Sequence, residues 1–218
     1  MRIAILGGTG NIGKGLALRW GSKHEIIIGS RMRSKAERAA EEYREVLSAV
    51  ASSRGQVRGA ANREAAIAAE IVVIAVPYSA MRELADAIRP VLEDQIVISL
   101  VVPMERSNSY LRYRAPPDGS AAMELKRLLP DTVRVVAAFH NLPGEKLRRI
   151  DMRLDCDVVV CGDSDAMRVV GTLIEEIDDL RVLDGGGLED SAMVESLTPF
   201  LINIAKRNNL SELGIKFV

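Results

Sequence analysis

Ile3-Ala4-Ile5-Leu6-Gly7-Gly8-Thr9-Gly10-Asn11-Ile12-Gly13 stands at the head of the chain, and an amphipathic stretch follows it directly. The apolar run reads as a buried strand, and Gly8-x-Gly10-x-x-Gly13 is the glycine fingerprint of a dinucleotide-binding turn. One glycine permits the tight turn, one lets backbone approach a pyrophosphate, and one lets helix pack on strand. The helix N-terminus behind the turn offers free N–H groups and a positive dipole end to phosphate. A glycine-rich turn alone says little; here the strand before it and the helix after it agree with it.

The next turn narrows the ligand. Glu25-Ile26-Ile27-Ile28-Gly29 reads as a second buried strand and leads into Ser30-Arg31-Met32-Arg33-Ser34-Lys35. An NAD site places an acid near this point for the ribose 2′-OH, whereas an arginine accommodates a 2′-phosphate. No acid occurs until Glu37. Ser30 supplies a hydroxyl, Arg31 a planar fork and Lys35 a point charge, and basic residues at a helix start are unfavourable unless an anion is bound. NADP is therefore expected rather than NAD.

A net charge of −1 provides no global basic field, and 4% aromatic content leaves little for base stacking, so nucleic acid is not expected as a partner. No apolar run is long enough to span a bilayer, and the N-terminus reads as a core strand rather than a leader, so a cytoplasmic protein without membrane contact is expected. Cys156 and Cys161 lie five apart in one strand-like run, which puts them on opposite faces. They read as buried structural thiols. His24 and His140 are the two histidines, with no acid or cysteine at ligand spacing, and no metal site is expected.

Apolar runs alternate with helical patterns through most of the chain, which implies βαβ units. The fold class read from this is α/β: a doubly wound, mainly parallel Rossmann-type sheet with a small C-terminal α/β lobe. Helices are expected at about 12–21, 34–52, 79–89, 120–129, 164–177 and 190–207. Strands are expected at 56–59, 71–76, 95–100, 134–139, 158–161 and 181–183 in addition to the first two. Asn62 reads as a cap for the helix that follows it. Residues 102–119 carry Pro103, Pro116, Pro117 and Gly119 without periodicity and read as a long, locally basic loop. The expected division is 1–142 for the NADP-binding domain and 143–218 for a small lobe that completes a second-cofactor cleft. Met193, Leu197, Phe200, Leu201 and Ile204 form an apolar stripe on the last helix, wide enough for core packing or a homodimer seam.

In an open α/β sheet, ligands lie beyond the carboxyl ends of the strands at the switch point. Gly7–Gly13, Val76–Ser79, Leu100–Pro103 and Phe139–Pro143 converge there, and Ile12, Pro77, Val101 and Leu142 are expected to supply a dry wall for hydride transfer. His140 titrates near neutrality and ends a central strand, but no carboxylate or lysine in adjacent sequence orients it. It reads as a residue that positions cofactor rather than as a proton carrier, and no catalytic side chain is assigned. With no nucleophilic arrangement beside the fingerprint, small-molecule cofactors carry the chemistry.

Gly7-Gly-Thr-Gly-Asn-Ile-Gly-Lys-Gly-Leu-Ala-Leu18, Gly29-Ser30-Arg31 with Lys35, Val159-Val-Cys-Gly-Asp163, Val194-Glu-Ser-Leu-Thr-Pro199 and Glu212-Leu-Gly-Ile-Lys-Phe217 together resemble the archaeal-type NADPH:coenzyme F420 oxidoreductases. The resemblance runs over nearly the whole chain, and the last two segments are its most specific part. It implies direct hydride transfer between stacked nicotinamide and deazaflavin rings, with NADP and coenzyme F420 as the two cofactors. By resemblance, Thr9, Asn11 and Ile12 contact the NADP phosphates and ring, and Ser30, Arg31 and Lys35 hold the 2′-phosphate. Pro77, Tyr78, His140 and Leu142 then border the ring-stacking cleft, and Ser196, Thr198 and Leu213 close it from the C-terminal side. The chain departs from the pattern in 102–119 and at Tyr78, where a tryptophan is familiar. Two alternatives stand beside this reading: a soluble NADPH-dependent flavin or ferric-chelate reductase, and a non-enzymatic protein that senses the NADP redox state.

Overall fold

The structure, a computed structural model, describes residues 1–50 and 56–218. Strand β1 (Arg2–Leu6) leads through the glycine turn into helix α1 (Asn11–Trp20), and β2 (Glu25–Ser30) into α2 (Arg33–Val50). The expected helix end at 51–52 lies outside the described residues. There follow β3 (Val57–Ala61), α3 (Asn62–Ala68), β4 (Ile71–Ile74), α4 (Tyr78–Ile88) and β5 (Ile96–Ser99). A hairpin of β6 (Met104–Ser107) and β7 (Tyr110–Tyr113) precedes α5 (Ala121–Leu128), β8 (Arg134–Ala137) and α6 (Gly144–Arg148). Strand β9 (Cys156–Gly162), α7 (Ser164–Glu175), β10 (Leu180–Asp184) and α8 (Ser191–Arg207) complete the chain.

Eight strands form one sheet in the order β10-β9-β8-β5-β4-β1-β2-β3. All pairings are parallel except β8 with β9. The strands are apolar on both faces because helices cover both. Ile3 and Ile5 pack with Leu16, Trp20 and Tyr43 on one side, while Ala4 and Leu6 pack with Ala65, Met81 and Leu84 on the other. Cys156 and Cys161 fall into opposite cores, as their odd spacing requires. The strand order reverses between β1 and β4, so a crevice opens there beyond their carboxyl ends. The C-terminal segment continues this sheet through β9 and β10 and returns across it with α8.

Several expectations are corrected. The segment 102–119 is not a structureless loop, because it holds the antiparallel β6–β7 hairpin, turned by Asn108 at a φ of 54°. Its strands alternate poorly in polarity; their partner is α8, which lies far away in sequence. The Asn203 carboxamide accepts from Leu111 N at 2.9 Å and donates to Leu111 O at 2.7 Å. Asn62 does not cap α3: Ala61 holds the cap position, with no side-chain cap bond. Strand β8 stops at Ala137, two residues early, because Phe139 adopts a φ of 69°. The short α6 was not read from sequence, since five residues are too few for a periodic pattern.

Candidate functional site

The glycine turn is shaped for close backbone approach. Gly7 has a φ of +86°, and a Cβ there would lie 2.4 Å from Ala75 O, so β1 and the β4 exit touch backbone to backbone. A Cβ on Gly13 would lie 2.6 Å from Gly8 Cα, which places the first turn of α1 directly on the loop. Tyr43 of α2 donates its hydroxyl hydrogen bond to Gly8 O at 2.8 Å and fixes the turn from behind. Gly10 stands at the N-cap of α1 without a side-chain cap, so the first-turn N–H groups remain free for an anion.

A cavity of about 310 Å³ brings Gly7, Thr9 and Gly10 together with Ser30, Arg31, Lys35 and Pro77. Ser30 Oγ accepts from Met32 N at 3.3 Å, and Arg31 approaches Glu83 at 3.9 Å across the rim, both charged groups largely exposed. A second cavity, of about 480 Å³, gathers Asn11, Ile12, His140, Leu142, Thr198 and Leu213. Between them lies an apolar space of about 180 Å³ bordered by Ile12, Pro77, Met104, His140, Leu142 and Thr198. Pro77 is thus shared with the first cavity, and Ile12, His140, Leu142 and Thr198 with the second.

His140 is 5% exposed, and among the described residues neither ring nitrogen has a hydrogen-bond partner of good geometry. Burial pushes its pKa down to about 4, weakly opposed by the Val101 backbone, so the ring is neutral at pH 7. Its placement depends on Phe139, whose left-handed backbone turns the chain out of β8. The Phe139 ring meets Trp20 edge to face at 5.8 Å, and the Trp20 indole donates to Leu173 O at 2.8 Å. Thr198 Oγ1 donates to His140 O at 2.6 Å and lays α8 over the end of β8.

Leu213 reaches the cleft because Glu212 anchors the tail, accepting from Glu145 N at 2.7 Å and Lys146 N at 3.0 Å. Arg19 of α1 donates to the carbonyls of Leu147, Lys146, Arg149 and Met152 and ties the same segment down. The tail then runs beside β9, where Asp157 Oδ2 accepts from Phe217 N at 2.6 Å.

Five expected residues stand outside these three cavities: Gly8 and Gly13 lie within the turn itself, Val101 is wholly buried in the core beneath α4 and α5 rather than in the dry wall, and Tyr78 and Ser196 point elsewhere. Tyr78 packs toward α5 and donates its hydroxyl to Glu124 Oε2 at 2.7 Å; burial, then the Glu124 carboxylate, raises its pKa to about 12. Arg82 pairs with the same carboxylate. Ser196 Oγ donates to Met193 O, within its own helix. Sequence reasoning missed Met104, which the hairpin brings to the cleft, and Glu195, which holds the hairpin in place. Fully buried, the Glu195 carboxylate accepts from Ala121 N at 3.0 Å, Ala122 N at 2.9 Å and the Tyr113 hydroxyl at 2.9 Å. Burial pushes its carboxyl up while these donors oppose that shift. A buried acid placed to face a helix N-terminus is a tertiary relation, and no spacing in the sequence signals it.

Comparison with known proteins adds a separate line of observation. A family described as "NADP oxidoreductase coenzyme F420-dependent" matches residues 2–103. The F420-dependent NADP reductase of Methanocaldococcus jannaschii is 38% identical over 222 residues, covering 99% of this chain and 97% of that protein. The enzyme of the same description from Methanothermobacter thermautotrophicus is 39% identical over 221 residues, covering 99% and 94%. A candidate F420-dependent NADP reductase from Arthrobacter sp. FB24 has a crystal structure similar to this fold, with a TM-score of 0.83 over 100% of this chain and 99% of that one. At 23% identity, that last likeness concerns the fold alone.

Proposed function

The chain belongs to the family of coenzyme F420-dependent NADP oxidoreductases, and from that premise we propose that it passes a hydride between NADP(H) and the deazaflavin of coenzyme F420. Supporting this is the continuity of two ligand-sized cavities through a dry, apolar space at Ile12, Pro77 and Leu142. Residues 1–142 hold NADP: the turn Gly8, Thr9, Gly10, Asn11, Ile12 and Gly13 takes the pyrophosphate, and Ser30, Arg31 and Lys35 take the 2′-phosphate. Residues 143–218 complete the second-cofactor cleft through Thr198 and Leu213.

When both cofactors are bound, the reduced deazaflavin gives up a hydride and a proton and NADP⁺ accepts the hydride, or the reverse. The protein's part is to align the rings and exclude water. His140, neutral at pH 7, borders the cleft as a positioning residue rather than as a proton carrier. Tyr78 and Ser196 act as positioning residues, Tyr78 by bracing α4 behind Pro77 and Ser196 by shaping the first turns of α8.

Anaerobic stopped-flow mixing of protein, reduced coenzyme F420 and NADP⁺ tests the reading through the deazaflavin absorbance. Acceleration over the protein-free mixture is expected. Reduction of FAD, FMN or a ferric chelate alone would transfer the assignment to a flavin or ferric-chelate reductase, and NADP binding without any turnover would make the protein a sensor.

The α8 face that carries Met193 and Phe200, 71% and 58% exposed, has no charged residue between Met193 and Ile204 except the buried Glu195. A second copy can therefore pair with it about a two-fold axis without opposing like charges, and we assign the homodimer contact to this face. No helix among the described residues is long and apolar enough to cross a membrane. Two buried free thiols fit a reducing compartment, which supports placement in the cytoplasm.

A further inference from the structure

Asn62 follows Ala61, the last residue of β3, which pairs with Ser30 of β2. It lines the same cavity as the glycine turn, Ser30, Arg31 and Lys35. Asparagine at the start of a helix commonly serves as its cap, but here Ala61 holds that position with no side-chain bond. The Asn62 Oδ1 atom is sealed from solvent and has no hydrogen-bond partner among the described residues. Such a group is destabilising unless something supplies a donor. The backbone makes room for it: a Cβ on Gly29 would lie 2.9 Å from Oδ1.

This inference rests on the reading of the cavity as the NADP site. With the pyrophosphate at the turn and the 2′-phosphate at Ser30, Arg31 and Lys35, the base falls between Asn62 and the α4 residues Ala80, Leu84 and Ala87. Those three supply an apolar wall for one face of a planar ring. A carboxamide matches one edge of adenine with a donor and an acceptor side by side.

We propose that the Asn62 carboxamide, whose Oδ1 packs against Gly29, turns into the cavity to read the adenine base, its Oδ1 accepting from the 6-amino group and its Nδ2 donating to N7, and that it thereby selects an adenine dinucleotide phosphate over the hypoxanthine counterpart. Hypoxanthine carries an oxygen in place of the amino group. That oxygen would face the Asn62 oxygen, acceptor to acceptor.

Isothermal titration of the full chain with NADP⁺ and with nicotinamide hypoxanthine dinucleotide phosphate tests this without reference to turnover. The unmodified protein is expected to bind NADP⁺ about tenfold more tightly than the hypoxanthine analogue, the size of effect that follows when one hydrogen bond is lost and an acceptor left unpaired. In Asn62→Ala the preference is expected to vanish while NADP⁺ binding weakens about tenfold. A preference that survives in Asn62→Ala, or equal binding of both ligands by the unmodified protein, overturns the proposal; the second outcome does not depend on the variant folding. Failure of the unmodified protein to bind either dinucleotide overturns the NADP reading itself and this inference with it.

Discussion

His140→Gln is expected to change how stability depends on pH, by an amount that follows from the burial of the ring. In the folded protein the imidazole pKa falls from 6.5 to about 4 because the charged form is desolvated. The unfolded chain takes up a proton with ordinary affinity while the folded one resists it. The contribution to stability is therefore fully present above 6.5 and is lost as pH falls toward the folded value. From this group alone the loss is about 2 kcal/mol at pH 5 and about 3 kcal/mol at pH 4. Glutamine does not titrate. The stability difference between His140→Gln and the unmodified protein should therefore shift by about 2 kcal/mol in favour of the variant between pH 8 and pH 5. Urea unfolding followed through the fluorescence of the single, buried Trp20 measures both proteins at both pH values. A difference that stays constant within about 0.5 kcal/mol would refute the sealed, neutral imidazole. The same neutrality implies that His140→Ala retains substantial hydride transfer, because a positioning group loses less than a proton carrier would. Near-total loss of transfer with NADP affinity intact would contradict the positioning role.

Arg31→Ala should weaken NADP binding about tenfold and leave the much weaker binding of NAD unchanged, since the side chain is largely exposed and its 3.9 Å approach to Glu83 contributes little. Parallel titrations with the two dinucleotides measure this, and equal losses for both would remove Arg31 from the 2′-phosphate. Glu195→Gln should destabilise the fold by about 1–3 kcal/mol, because one carboxamide cannot accept from Ala121 N, Ala122 N and Tyr113 together and its amino group would face a donor. Thermal unfolding reads the loss, and an unchanged Tm would show that the hairpin is held by other means.

Local chemistry made the first cavity legible. Gly7–Gly13 and Ser30–Lys35 each lie within a few residues of a strand end, so strand, turn and helix start could be recognised in one window, and the structure gathers both segments around one cavity. The second cavity was less legible from residue chemistry. Ile12, His140, Thr198 and Leu213 meet there only because the tail is anchored by Glu212 and α8 crosses the end of β8. Family resemblance supplied the residue names, while the physical cause of their meeting lies in those contacts. The β6–β7 hairpin was not legible at all, because its four-residue strands draw their hydrogen bonds and packing from Asn203, Glu195 and Lys206 on a helix some 80 to 100 residues away.

From the sequence by itself come the α/β class, the alternation of strands and helices outside 102–119 and the preference for NADP, because each depends on periodicity, glycine conformation or charge within a short span. Tertiary structure alone decided that β9 runs antiparallel to β8, that Phe139 turns His140 toward an apolar cleft, and that Asn62, in the cavity that Arg31 also lines, carries an amide oxygen with no partner among the described residues. Burial and hydrogen-bond satisfaction are properties of the assembled chain. They depend on which distant groups arrive, and no local pattern in the sequence records that.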